Sequence, residues 1–99
     1  MSIDVYDKGD LVRVSAAFTD SAGAAADPTG VTLKVIEPDG TQTSYVYGTD
    51  AEVIKASTGN YYADIAADAA GGWHYQWAGS GAVVAVQPGQ FAVQPTAFT

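Results

Sequence analysis

The sequence contains no cysteine and only one histidine among its 99 residues. A chain without cysteine forms neither a disulfide framework nor a Cys–His catalytic pair, and it has no thiolates for a structural zinc site. Secreted domains of this size often rely on disulfides, so their absence favours an intracellular origin.

Positive charge is also scarce. Four Lys and Arg residues stand against eleven Asp and Glu residues, which leaves a net charge of −7. A nucleic-acid-binding protein needs a basic face, and anionic membranes attract basic segments, so we expect neither kind of partner. The opening residues, MSIDVYDKGD, lack the basic and apolar regions of a signal peptide, and no apolar run approaches the ~20 residues of a membrane helix. We therefore expect synthesis in the cytoplasm without a signal peptide.

What the sequence does contain is a regular alternation of apolar and polar residues. In residues 31–37, Val31, Leu33 and Val35 share one face, while Thr32 and Lys34 share the other. The same period of two, broken by turn signals, predicts strands at residues 11–19, 31–37, 41–47, 52–56, 61–66, 73–78, 82–86 and 90–94. We expect Pro88 and Gly89 to break or bulge the last stretch.

These features predict one all-β domain over residues 1–99. Seven to eight short strands, with turn signals every 8–12 residues, are typical of an antiparallel β-sandwich of immunoglobulin-like architecture. A small closed barrel is the alternative, because periodicity does not distinguish a closed sheet from two packed ones. Hydrophobic residues make up 47% of the chain, enough to supply the core of such a domain.

The most distinctive stretch is AGGWHYQWAGSG, residues 70–81. Trp73, Tyr75 and Trp77 alternate, which predicts a core strand with His74 and Gln76 facing outwards. Exposed aromatic rings would suit a protein interface, where Tyr and Trp are enriched. The candidate interface residues are Tyr45, Tyr47, Tyr62 and Trp77, the last because it lies near the expected end of its strand.

Catalytic and metal-binding patterns are weak. A Ser–His–Asp triad would have to use His74, and neither a G-x-S-x-G elbow nor a phosphate loop is present. Acidic residues do occur in the turns, where calcium could bind, but no EF-hand-type loop exists and Asp is common in turns for its backbone hydrogen bonds. We expect no catalytic residues, no metal and no cofactor.

Several short motifs occur in a characteristic order along nearly the whole chain. They are residues 9–14 (GDLVRV), 18–23 (FTDSAG), 27–33 (DPTGVTL), 38–40 (PDG), 57–61 (STGNY), 72–77 (GWHYQW) and 90–93 (QFAV). In this order they resemble the small immunoglobulin-like proteins encoded among the virion structural genes of tailed bacteriophages and prophages. The resemblance implies a non-enzymatic virion protein for head decoration, the neck, or an accessory site on head or tail. The resemblance implies no catalytic residues in this chain.

The partners implied by this resemblance are capsid, neck or tail subunits. Edge strands or terminal segments, residues 1–6 and 95–99, would pair with neighbours, and self-association belongs to the same set of expected contacts. The alternative function is a carbohydrate-binding adhesive module, which requires exposed coplanar aromatic rings.

Overall fold

The computed structural model describes residues 4–81 and 83–95, which form eight strands and no helix. The strands are β1 (Asp4–Asp7), β2 (Leu11–Ala17), β3 (Gly30–Ile36), β4 (Gln42–Val46), β5 (Val53–Ser57), β6 (Asn60–Ala66), β7 (Gly71–Ser80) and β8 (Ala85–Gln94). The described residues contain no helix that is long and apolar enough to cross a membrane.

The strands form two sheets. The larger has the order β1-β8-β7-β3-β4 and the smaller β2-β6-β5. The chain crosses between sheets after β1, β2, β4 and β6, which is the connectivity of an immunoglobulin-like sandwich. The predicted fold is therefore confirmed, and both sheets have free edges, unlike a closed barrel. One pairing departs from the antiparallel expectation, since β1 runs parallel to β8.

The core lies between the sheets and consists of alternate residues from facing strands. Val12 and Val14 of β2 are buried opposite Leu33 of β3 and the two tryptophans of β7. Trp73 stacks on Phe91 of β8 at 5.6 Å between ring centroids, and its Nε1 donates to the carbonyl of Ala69 at 2.9 Å. The large ring is thus buried with its polar atom satisfied.

Two predictions were wrong, one of a terminal arm and one of a strand break. Residues 4–6 belong to β1, where Tyr6 packs edge-on against Phe91 at 5.7 Å, so this part of the chain is no free arm. Residues 85–94 form one continuous strand through Pro88. The described residues of β1 pair with the Phe91–Gln94 end of β8, so no described strand lies beside Pro88 on that side, and proline is tolerated at such an edge. The rest of the proposed arms, residues 1–3 and 96–99, and Ala82 of the predicted strand 82–86 lie outside the described residues.

Asp27 ties the loop before β3 to the turn between β5 and β6. Its carboxylate accepts hydrogen bonds from Lys55 Nζ at 2.6 Å, the Gly59 N–H at 2.7 Å and the Tyr61 hydroxyl at 3.1 Å. The bond from Lys55, followed by that from Gly59, holds the pKa of the Asp27 carboxyl below its usual value. The ionised carboxylate is therefore part of the folded structure.

We expect the hydrogen bonds of Asp27 to stabilise the folded chain less at low pH. Because the pKa of Asp27 is lower in the folded than in the unfolded chain, its contribution to stability is present above about pH 4. It is lost as the pH falls through the lowered folded value. The melting temperatures of the native protein and of Asp27→Asn, followed by circular dichroism, should differ at neutral pH and converge in acid. A gap that stayed constant would contradict this role.

Candidate protein-docking surface

The tyrosines selected from the sequence do not share one surface. Tyr62 lies half-buried on the solvent side of the three-stranded sheet, with the guanidinium of Arg13 4.0 Å from its ring centroid. Tyr45 is partly buried against the core, and this burial raises its pKa. Tyr47 is exposed and contacts Tyr61 edge-on, with ring centroids 5.2 Å apart. The rings therefore form no common recognition surface.

The expectation that Trp77 reaches the surface was wrong. Its side chain is 0% exposed. The strand β7 continues to Ser80, so Trp77 lies inside the strand, between Leu33 of β3 and Gln87 of β8, and not at its end. Trp77 is a core residue, whereas His74 and Gln76 face solvent as predicted.

Sequence reasoning missed a surface that appears only when the strands are placed side by side. We call the solvent-facing side of the five-stranded sheet the outer face. Exposed apolar side chains recur on it, among them Ile36, Val46 and Val86. Residues paired across the neighbouring strands β8, β7, β3 and β4 form three rows on this face. In that strand order, the rows are Val86, Ala78, Thr32 and Val46; Pro88, Gln76, Lys34 and Ser44; and Gln90, His74, Ile36 and Gln42.

The charge on the outer face differs from that of the whole chain. In a protein of net charge −7, the residues that these four described strands place on it include no carboxylate. Lys34 lies near its centre and forms no ion pair with another described residue. By contrast, Arg13 pairs with Asp64 at 2.9 Å and Lys55 with Asp27 at 2.6 Å.

A wide, open depression of about 330 Å³ lies on the outer face. Its lining includes Lys34, Ile36, Gln42, His74, Gln76 and Pro88. Ligand sites for small molecules are usually concave enough to bury most of the ligand. An open depression on a flat sheet instead suits a protruding side chain of a protein partner.

His74 has no visible support for catalysis. Its cross-strand neighbours are Ile36 on β3 and Gln90 on β8. A catalytic imidazole needs an orienting group, usually a carboxylate, within hydrogen-bond reach. The two residues that flank it in the sheet provide none.

The acidic turn residues serve the backbone. Asp39 accepts from the Thr41 N–H at 2.8 Å, which lowers the pKa of its carboxyl, and Asp50 accepts from the Val46 N–H at 2.7 Å. Over residues 4–81 and 83–95, no group of three or more His, Asp or Glu side chains is arranged to hold a metal ion. The hydrogen bonds of these carboxylates to the backbone thus account for the acidic residues in the turns.

The fold defines an immunoglobulin-like β-sandwich domain with one carboxylate-poor sheet face. No protein-family model matches the sequence, and no curated protein matches it significantly.

Proposed function

We propose that this chain is a non-enzymatic structural protein of a tailed-bacteriophage virion, which docks on capsid, neck or tail subunits through the outer face. The order of short motifs along the chain, described above, supports the virion role. The observation that supports docking is the outer face itself: exposed apolar and amide side chains, one central cation and no carboxylate on β3, β4, β7 and β8, in a strongly acidic protein.

The composition of the outer face resembles the centre of a protein interface. Such centres are depleted of charged residues, whereas rims are polar. Ile36, Val46 and Val86 would lose their contact with water on docking, and the glutamines beside them can hydrogen-bond to a partner. A carboxylate of the partner opposite Lys34 would complete the match, since Lys34 has no ion-pair partner within the described part of the chain.

The size of the outer face is adequate for docking. With strands about 4.8 Å apart and about 3.3 Å per residue, the five-stranded sheet covers roughly 600 Å² in projection. Each partner in a standard interface buries about 800 Å² of accessible surface. The accessible surface of a sheet face is larger than its projected area, because protruding side chains make the surface uneven. The projected area of the outer face is thus comparable with one side of a standard interface.

The carbohydrate-binding alternative loses its main support. It requires exposed, coplanar rings, but Trp73 and Trp77 are both buried. Tyr62 lies beneath Arg13, on the opposite side of the sandwich from the outer face. We do not retain this function.

Ile36→Asp provides the test. Docking would bury the new carboxylate without a partner, which is costly, so we expect its amount in purified particles to fall at least about tenfold. The measurement is quantitative mass spectrometry of particles made by the phage carrying either the native or the altered gene.

Ile54→Asp is the matched control. Ile54 is 43% exposed and Ile36 39%, and both lie in strands, but Ile54 belongs to the other sheet. We expect Ile54→Asp to enter particles normally. If the native chain is missing from purified particles, the virion role is wrong. If both variants enter equally well, the outer face is not the docking surface.

A further inference from the structure

The sandwich has several free strand edges, and most of them are protected against pairing with another chain. The edge strand β5 has a register shift between Lys55 and Ser57. On β4, the Val46 N–H is occupied by Asp50, and the part of β8 that no described strand covers on one side contains Pro88. The described part of β1 is only four residues long. Short edges, bulges, lysine and proline are the usual means by which proteins prevent edge pairing.

The edge of β2 has no bulge, proline or lysine, and of its outward backbone groups only the Ala17 carbonyl is occupied by another described residue, the Gln87 side chain at 2.6 Å. Its seven residues, Leu11–Ala17, pair with β6 in one unbroken register and include neither proline nor glycine. On its other side, none of the described strands lies beside it. At its start, the side chain of Leu11 is 67% exposed. A long, regular and partly apolar edge is a template for an added strand.

The hydrogen bonds at the ends of the β2–β6 ladder show which groups point away from it. Phe18 N–H donates to Gly59 O at 2.7 Å, and Ala67 N–H donates to Asp10 O at 2.9 Å, so even-numbered residues of β2 face β6. In agreement, Ala17 O points outwards and accepts from Gln87 Nε2 at 2.6 Å. The outward-pointing backbone groups are therefore those of Leu11, Arg13, Ser15 and Ala17.

We propose that the β2 edges of two copies of this chain pair antiparallel about a two-fold axis, which joins two three-stranded sheets into one. The inference does not depend on the virion role or on the outer face. A two-fold axis brings identical surfaces together, so a strand paired with its own copy must be antiparallel. The only register that uses all of Leu11–Ala17 places Val14 opposite the partner's Val14.

This register fits the side chains. It places Arg13 opposite the partner's Ser15, so no like charges face each other across the new ladder. The Arg13 guanidinium is already neutralised by Asp64 of its own copy at 2.9 Å. Leu11 comes opposite the partner's Ala17, which covers part of its exposed side chain. These matches favour a second copy over an unrelated strand.

Net charge sets the conditions for pairing. Each copy has a net charge of −7, so two copies repel at long range. Salt reduces this repulsion, because the screening length falls from about 10 Å at 0.1 M to about 3 Å at 1 M. We therefore expect a weak dimer that becomes stronger as salt is added.

Ser15→Pro tests the proposal. The N–H that it removes points outwards, so the β2–β6 ladder stays intact, as prolines at edges allow. The ring blocks an incoming strand. We expect sedimentation velocity to show a native monomer–dimer equilibrium in high salt and a dissociation constant at least about tenfold higher for Ser15→Pro.

Ser44→Pro is the matched control on the edge of β4. Bonds from Glu37 N–H to Thr41 O and from Tyr47 N–H to Val31 O place the Ser44 N–H on the outward side of that strand. We expect this variant to dimerise like the native chain. A native chain that stays monomeric at high concentration and high salt overturns the proposal, as does a Ser15→Pro variant that dimerises normally.

Amide hydrogen exchange on the native chain keeps the test independent of whether the proline variants fold. The N–H groups of Arg13 and Ser15 should become protected as concentration rises, while that of Ser44 should not change. Equal behaviour of these amides at all concentrations would overturn the proposal.

Discussion

Replacing Trp77 with alanine is expected to reduce the free energy of unfolding by about 3–5 kcal/mol, the usual cost of removing a fully buried large aromatic side chain. Trp77 is 0% exposed and sits between Leu33 and Gln87 in the centre of the larger sheet. Since small domains are stable by only about 5–15 kcal/mol, the variant should be partly unfolded at moderate temperature. Urea unfolding followed by circular dichroism measures the loss.

Trp77→Phe is the matched control. Among the described residues, no hydrogen-bond partner reaches the Trp77 Nε1 atom. Phenylalanine keeps much of the ring and removes a polar atom that costs free energy when it is buried unpaired. We expect a much smaller loss than for alanine, about 1 kcal/mol. Equal losses in both variants would contradict the placement of this ring.

Replacing Gly59 with alanine is expected to cost about 3 kcal/mol, as the sum of two unfavourable effects. Gly59 has a φ of +76°, a left-handed conformation that costs an L-residue about 1–2 kcal/mol. A Cβ there would also press on the backbone of Phe18 and Ala26, and overpacking typically costs 1–3 kcal/mol. The same urea measurement tests this value.

Gly40→Ala separates the two effects. Gly40 lies in the turn between β3 and β4 with a φ of +91°, and a Cβ there would meet nothing within 4 Å. We expect only the conformational cost, about 1–2 kcal/mol. If the free energy of unfolding falls by the same amount in both variants, the close contact of the Gly59 turn with Phe18 and Ala26 does not add to the cost of the substitution.

The strands and the core could be predicted because side chains in a strand alternate between two faces. Val12, Val14, Leu33 and Trp73 are buried at the expected positions. The turn at Gly40 was also predictable, because the Asp-Gly pair allows a positive φ in a hairpin. These features depend on neighbours within a few residues in the sequence.

Features that depend on pairing between distant segments could not be predicted. The strand β1 exists because β8 lies beside it, and β8 continues through Pro88, where no described strand lies on one of its sides. Trp77 seemed close to a strand end only because the extension of β7 to Ser80 was not visible.

The candidate docking surface could not be predicted from the sequence for the same reason. Ile36, Lys34 and Val86 are ordinary outward residues when each strand is considered alone. They form one carboxylate-poor face only after β3, β7 and β8 are placed next to each other. Two of the aromatic candidates show the opposite case, because residue type suggested binding while the fold uses Trp77 and Tyr45 for packing.

The parallel pairing of β1 with β8 has a consequence for synthesis in the cell. The hydrogen bond from Gln94 to Asp7 spans 87 positions of the sequence, so it closes a loop of nearly the whole described chain. Of the described strands, β1 is made first and must wait for β8, which is made last. Until β8 emerges, Tyr6 lacks the Phe91 ring on which it packs, and the larger sheet stays incomplete at that edge. The larger sheet is therefore completed only after β8 has been made, however early the other strands pair.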